Sequence, residues 1–131
     1  MGKAAFTTAL QVRDYECDLQ GIVNNAVYQH YLEYARHRYL NSRGLDFAEL
    51  TAVGVIIVVT RAELDYKRAL RPGDHFSVSV SAKKLGRLKL VFEQEIRRLT
   101  DNELMLEAKI TAVSLKDGER PYFPEELEKL L

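Results

Sequence analysis

The chain has 131 residues, of which 47% are hydrophobic and 29% charged, a balance that builds one soluble globular domain with a single core and leaves too little for a second. Nineteen basic and nineteen acidic residues cancel, so nucleic acid is not the expected partner, and no run approaches the roughly 20 apolar residues that cross a bilayer, so neither is a membrane. The single cysteine, Cys17, makes no internal disulfide and no metal site on its own, and the first residues, from Met1 to Thr8, lack the long apolar run of a secretory signal, which makes the cytoplasm the expected location.

Residues 6–15 alternate, with Leu10 and Val12 on one side and Gln11 and Arg13 on the other, as a half-buried strand does. A short turn follows, carrying Asp18 and Gly21. Behind the pair Asn24 and Asn25 begins a stretch free of Gly and Pro in which Tyr28, Tyr31, Leu32, Ala35, Tyr39 and Leu40 recur at helical spacing. Val27 and Tyr34 widen that face, so that only a strip around Gln29, Glu33, Arg36 and His37 is polar. The spacing predicts one long, largely wrapped helix over residues 25–43, with Asn24 as its N-cap and Arg43 and Gly44 as its end.

Asp46 and Glu49 have capping-box spacing and predict a one-turn helix ending near Gly54. Next comes a β-branched run from Val55 to Thr60, continuous enough to predict a central strand, which goes on alternating through Ala62, Leu64 and Tyr66. Arg71, Pro72, Gly73 and Asp74 predict a turn. Phe76, Val78, Val80 and Ala82 then alternate with serines, Leu88, Leu90, Phe92, Gln94 and Ile96 form the next apolar face, and Leu104, Leu106, Ala108, Ile110 and Ala112 the last. Gly86 and the pair Asp101 and Asn102 mark the turns between them. The tail after Pro124 reads as a short capping helix. The whole is an α+β chain in which an antiparallel five-stranded sheet wraps one long central helix, as a single domain over residues 1–131.

The chemistry gathers where the first strand meets the helix. Unpaired N–H groups at a helix start carry partial positive charge, and an acid placed just before them works on a carbonyl carbon while they hold its oxygen. Asp18 is that acid, and with Asn24 as cap the Asn25 N–H lies at the helix mouth. An Asp in such a position also serves as a turn former or cap.

The stretch YECDLQGIVNNAVYQHYLEYARHRYL, followed later by AELDYKRALRPGD and an antiparallel meander, resembles the 4-hydroxybenzoyl-CoA thioesterase type of acyl-CoA thioesterase, which has the hotdog fold. The resemblance covers essentially the whole chain. It implies hydrolysis of an acyl-CoA to the acid and free coenzyme A, with Asp18 as nucleophile or general base and the Asn25 amide polarising the thioester carbonyl. Gly21, Asn24 and Tyr28 would contact the substrate, and no metal or cofactor is implied. It also implies a homodimer or homotetramer with the active site at the dimer seam. Gln20 and Asn24 stand where the 4-hydroxybenzoyl enzyme has a small residue and an aromatic one, so an aromatic acyl group is not expected. Release of acyl chains from acyl carrier protein, and binding of acyl-CoA without turnover, are the alternatives.

Other residues compete for a role. Glu33 is the rival acid, because some hotdog thioesterases place their carboxylate within the helix; beside Arg36 and His37 it also reads as half of an ion pair. Cys17 has no His near it in sequence, and His30, His37 and His75 lack metal-ligand spacing, so these read as packing or interface residues. Basic residues gather at Arg61, Lys67, Arg68 and Arg71 and at Lys83, Lys84, Arg87 and Lys89; such runs are usually solvated strand faces, and the second group is the candidate holder of coenzyme A phosphates.

Overall fold

A computed structural model of the protein describes residues 6–131. Strand β1, Phe6–Gln11, leads through a single 3-10 turn at Asp14–Glu16 to helix α1, Val27–Ser42, and a short helix α2, Phe47–Ala52. Four strands follow, β2 (Val55–Tyr66), β3 (His75–Leu85), β4 (Lys89–Arg98) and β5 (Leu104–Lys116), then a two-residue strand β6, Arg120–Pro121, and a 3-10 segment, Glu125–Leu130. The strands form one antiparallel sheet in the order β1-β3-β4-β5-β2, with β6 added to β5. The five expected strands are therefore joined by a sixth, too short to leave an alternating signature.

The helical spacing translates directly into burial. Tyr28, Tyr31, Leu32, Ala35, Tyr39 and Leu40 are the buried residues of α1, and they meet Phe76, Val78, Val80, Leu90, Phe92 and Ile96 from the sheet in one core. Tyr31 and Phe76 bring their rings to 4.7 Å, and the Tyr39 hydroxyl donates to the carbonyl of Leu130, fastening the tail across the far end of the helix. At that end Gly44 takes φ +78°, which lets its N–H reach the Asn41 carbonyl at 3.0 Å while Leu45 N–H returns to Leu40 at 2.9 Å. A side chain there would be strained, so the arginine and glycine end the helix as expected.

Strand β2 departs from expectation. Its β-branched run predicts a central strand, yet β2 lies at the edge of the sheet, paired with β5. Helix α1 packs on β1 and β3, at the other side of the sheet, and α2 is the helix that reaches β2. The helix-facing side of β2 is consequently left open: Val59 and Tyr66, opposite Ala112 and Leu106, are each 50% exposed. The run is apolar on both faces, but this chain alone covers only part of it.

Candidate active site

The Asp18 turn is a miniature hairpin. Cys17 and Val23 face each other as an antiparallel bridge, Asp18 N–H donates to Ile22 at 2.9 Å, and Gly21 N–H donates to the Asp18 carbonyl at 3.0 Å. Gly21 holds φ +77°, the conformation that closes the turn and that other residues resist. The Asp18 carboxylate is itself part of the turn, since its Oδ1 accepts the Gln20 N–H at 2.9 Å. With its amide nitrogen facing the acid, the Gln20 side chain adds contacts of 3.0 and 3.3 Å to the two carboxylate oxygens. Gln20, one of the departures from the 4-hydroxybenzoyl pattern, thus orients the acid.

Helix α1 begins two residues later than expected, and Asn24 is not its N-cap. Asn24 Oδ1 takes the N–H of Ala26 at 2.9 Å, a tight side-chain turn that competes with capping geometry. The Asn24 carbonyl accepts from Val27 at 2.9 Å, and the Asn24 N–H donates to the Glu16 carbonyl at 3.0 Å. The Asn25 N–H has no acceptor among the described residues. The residue read as the oxyanion donor therefore keeps its amide free at the helix mouth, although a different local structure puts it there.

Three hydrogen bonds pin this mouth to the end of β2 and the segment after it. Val23 N–H donates to Leu70 O at 2.9 Å, Leu70 N–H donates to the Tyr28 hydroxyl at 3.1 Å, and the Tyr66 hydroxyl donates to the Asn25 carbonyl at 3.1 Å. Tyr28, read from the sequence as substrate-contacting, is a core residue only 3% exposed, and its hydroxyl holds the Leu70 backbone. From the other side Glu16 accepts both the Arg13 N–H and the Tyr31 hydroxyl at 2.8 Å.

Burial, reinforced by the bond to Glu16, raises the Tyr31 hydroxyl well above the ordinary tyrosine value, and burial raises Tyr28 too. The unfolded chain gives up these protons near the ordinary value of 10.0 while the folded chain keeps them. Their contribution to stability is fully present below that pH and falls as pH rises above it. A plot of melting temperature against pH is expected to turn downward above about pH 10, and Tyr31→Phe to make that descent shallower. An identical alkaline slope in the variant would show that another group is responsible.

The remaining side chains sort by position. An open groove of about 370 Å³ runs beside α1, lined by Ala26, Gln29, His30, Glu33, Arg36, Val59 and Ile110. It starts next to Asn25 and includes Glu33, the rival acid, whereas Asp18 is not among its lining residues. Arg36 donates to Gln94 Oε1 at 3.0 Å and stands over the Phe92 ring at 5.9 Å. Burial lowers its pKa, opposed by the charge of Glu33. Gln94, 2% exposed, uses its nitrogen on the Leu32 carbonyl at 3.1 Å. His37 packs on Phe47 with ring centres 4.4 Å apart, and His75 is exposed at the start of β3. The Cys17 thiol is raised by burial and by Asp14, Asp18 and Glu16 around it, which disfavours the nucleophilic thiolate.

The two basic groups lie in different parts of the sheet. Val12 N–H bonds Asp74 O and Gly73 N–H bonds Val12 O, so the Asp18 turn lies at the His75 end of β3. Lys83, Arg87 and Lys89 lie at the opposite end, about 26 Å away at the strand rise from His75 to Lys83, and Lys83 is engaged with Glu93 at 3.4 Å. Within one chain they do not reach Asp18. Lys67, Arg68 and Arg71 instead occupy the segment pinned to the helix mouth, and all three are exposed. Sequence reasoning missed this and the role of Tyr66, because both arise from a loop returning to the helix mouth some 40 residues after it. The signal available was the Tyr ending an alternating run, directly before basic residues.

Residues 12–131 match the family described as the thioesterase-like superfamily. The chain is 38% identical over 112 residues to the chloroplastic acyl-acyl carrier protein thioesterase ATL2 of Arabidopsis thaliana, a match covering 86% of this chain and 60% of that protein. The match thus spans less than two thirds of that relative's length. It is 30% identical over 129 residues to the acyl-CoA thioesterase YbgC of Haemophilus influenzae, covering 94% of this chain and 91% of the relative. Among solved structures, a hypothetical protein from Aquifex aeolicus superposes with a TM-score of 0.90 at 29% identity, covering 96% of this chain and 99% of that one.

Proposed function

The chain belongs to the thioesterase-like superfamily and has its hotdog fold, and from that premise we propose that it hydrolyses an acyl thioester at the Asp18 turn, with acyl-CoA as the substrate class. The observation that carries the reading is the free Asn25 N–H at the mouth of α1, on the segment that leads out of the turn holding the half-buried Asp18 carboxylate. Asp18 either attacks the carbonyl carbon to give a mixed anhydride or takes a proton from the attacking water. In both routes the carbonyl oxygen gains charge and is held by the Asn25 N–H, and the carbon–sulfur bond breaks to release the carrier, whose thiolate takes up a proton; in the first route water then hydrolyses the anhydride and frees the acid and Asp18. The peptide that supplies this N–H has its own carbonyl, that of Asn24, bonded to Val27 N–H, which strengthens it as a donor.

The groove beginning at Ala26 is the proposed seat of the acyl group. From Ala26 to Arg36 it follows the helix for about 15 Å at the rise per residue. Because Asp18 does not line it, the complete site is proposed to form across a homodimer, in which a second copy closes the open side of β2. An acyl carrier protein thioester is the second reading, favoured by the 38% identity to the Arabidopsis enzyme.

The test is a hydrolysis screen over short, long, branched and aromatic acyl-CoAs, with acyl carrier protein thioesters and a truncated pantetheine thioester alongside. Cleavage of at least one class is expected, and none cleaved would end the reading. The exposed Arg68 and Arg71 are the proposed phosphate holders. Changing both to Ala should raise KM for the carrier-bound substrate about tenfold while sparing the truncated one. Changing Arg87 and Lys89 to Ala should alter neither; the reverse pattern would return the phosphate site to the β3–β4 hairpin.

A further inference from the structure

Tyr66 is the last residue of β2 and lies on its helix-facing side, opposite Leu106. Its ring meets that of Tyr28 edge-on at 5.4 Å, and Tyr28 is in turn fixed by burial and by the Leu70 N–H. The Tyr66 hydroxyl, so located, donates to the Asn25 carbonyl at 3.1 Å. That carbonyl belongs to the peptide unit between Asn25 and Ala26, whose N–H is held by Asn24 Oδ1 at 2.9 Å. One peptide plane is thereby gripped at both of its polar ends, by one residue local in sequence and one from a different strand.

The preceding peptide unit, between Asn24 and Asn25, has its carbonyl on Val27 N–H. Of the four polar groups in these two peptides, three are bonded and the Asn25 N–H is not, among the described residues. An oxyanion donor gains its effect from being aimed before the reaction begins, and a small loss of aim costs rate more than binding. The Val27 N–H is the one hydrogen bond that holds the plane carrying the Asn25 N–H among the described residues, because α1 starts only at Val27.

Resting on the thioester-hydrolase reading, we propose that Tyr66 is a positioning residue for the reaction: its hydroxyl fixes the peptide unit that follows Asn25 and, through the shared Asn25 Cα, holds the aim of the free N–H at the reacting carbonyl. Half of Tyr66 is exposed, so removing the hydroxyl leaves the core intact. The ring contact with Tyr28 remains in Phe, which isolates the hydrogen bond.

The experiment is Tyr66→Phe, with kcat and KM measured separately on the substrate that the wild-type protein cleaves best. A fall in kcat of about tenfold or more with KM within about twofold is expected, since the lost interaction acts on the transition state. A trifluoromethyl ketone analogue, whose hydrate presents an oxyanion once it gives up a proton, should lose affinity in parallel, whereas a thioether analogue without a carbonyl should bind the variant as tightly as the wild type. Unchanged kcat, or a rise in KM accounting for the whole loss, overturns the role of Tyr66 and leaves the hydrolase reading standing. Equal loss of both analogues overturns it as well, by making Tyr66 a general binding or folding residue. A wild-type protein that cleaves no thioester removes the functional reading, and this inference with it.

Discussion

Asp18→Asn is expected to lower kcat by about 10²- to 10⁴-fold, the usual worth of a positioned acid–base group, with the melting temperature close to that of the wild type. The separation of activity from stability follows from how the carboxylate is used. The turn needs only one side-chain oxygen, Oδ1, to accept the Gln20 N–H, and an amide oxygen does this equally well. What Asn cannot supply is a base, or a competent nucleophile. Glu33→Gln is the matched control, and the groove makes it a demanding one, since Glu33 lines the groove with Ala26, His30 and Arg36 whereas Asp18 does not. A small loss is expected there, because Arg36 retains its bond to Gln94 without the charge of Glu33. Near-normal turnover by Asp18→Asn, or a dead Glu33→Gln, would transfer the chemistry to the helix. If Asp18→Asn unfolded, the residue would be a turn former and the catalytic assignment would lose its support.

What the sequence made legible is what depends on local periodicity. The α1 stripe from Tyr28 to Leu40, the alternation of β3 with its serines, and the stop at Gly44 all follow from spacings of two or 3.6 and from one glycine, and all are present. The helix start was harder to read because Asn has two competing local uses. Asn24 bonds Ala26 in a side-chain turn and does not cap, yet either use leaves the next amide free. Strand position was not legible for β2, since a β-branched run reports burial without saying whose atoms provide it. Lys83, Arg87 and Lys89 show the limit most clearly: clustering in sequence places charges on one hairpin, but only the register of β3 with β1 shows which end of the sheet that hairpin occupies. Tyr66 and residues 67–71 reach the site through long-range return of the chain, which no periodicity reveals.

The other large expected result is a particle of at least twice the chain mass of 15.0 kDa in sedimentation at micromolar concentration. Strand β2 is twelve residues long and is paired on one side, with β5. A free edge offers a row of N–H and C=O groups to another chain, and proteins that stay monomeric block such edges with charge, proline or a covering element. From Val55 to Thr60 this edge has neither charge nor proline, and on its helix-facing side Val59 remains half exposed beside an open groove. A second copy laid against β2 pairs the edge and covers the groove in one step, and the same surface meets itself across a two-fold axis. Val59→Lys tests this. In an isolated chain the side chain has room to reach water, so the fold should survive, but in a closed seam it buries an unpaired charge at a cost of several kcal/mol. The variant is expected to sediment at half the wild-type mass and to lose activity by tenfold or more, because the proposed site is complete only across the seam. A wild-type monomer with full turnover would instead place the entire site within one chain, and a Val59→Lys variant of unchanged mass would move the contact away from β2.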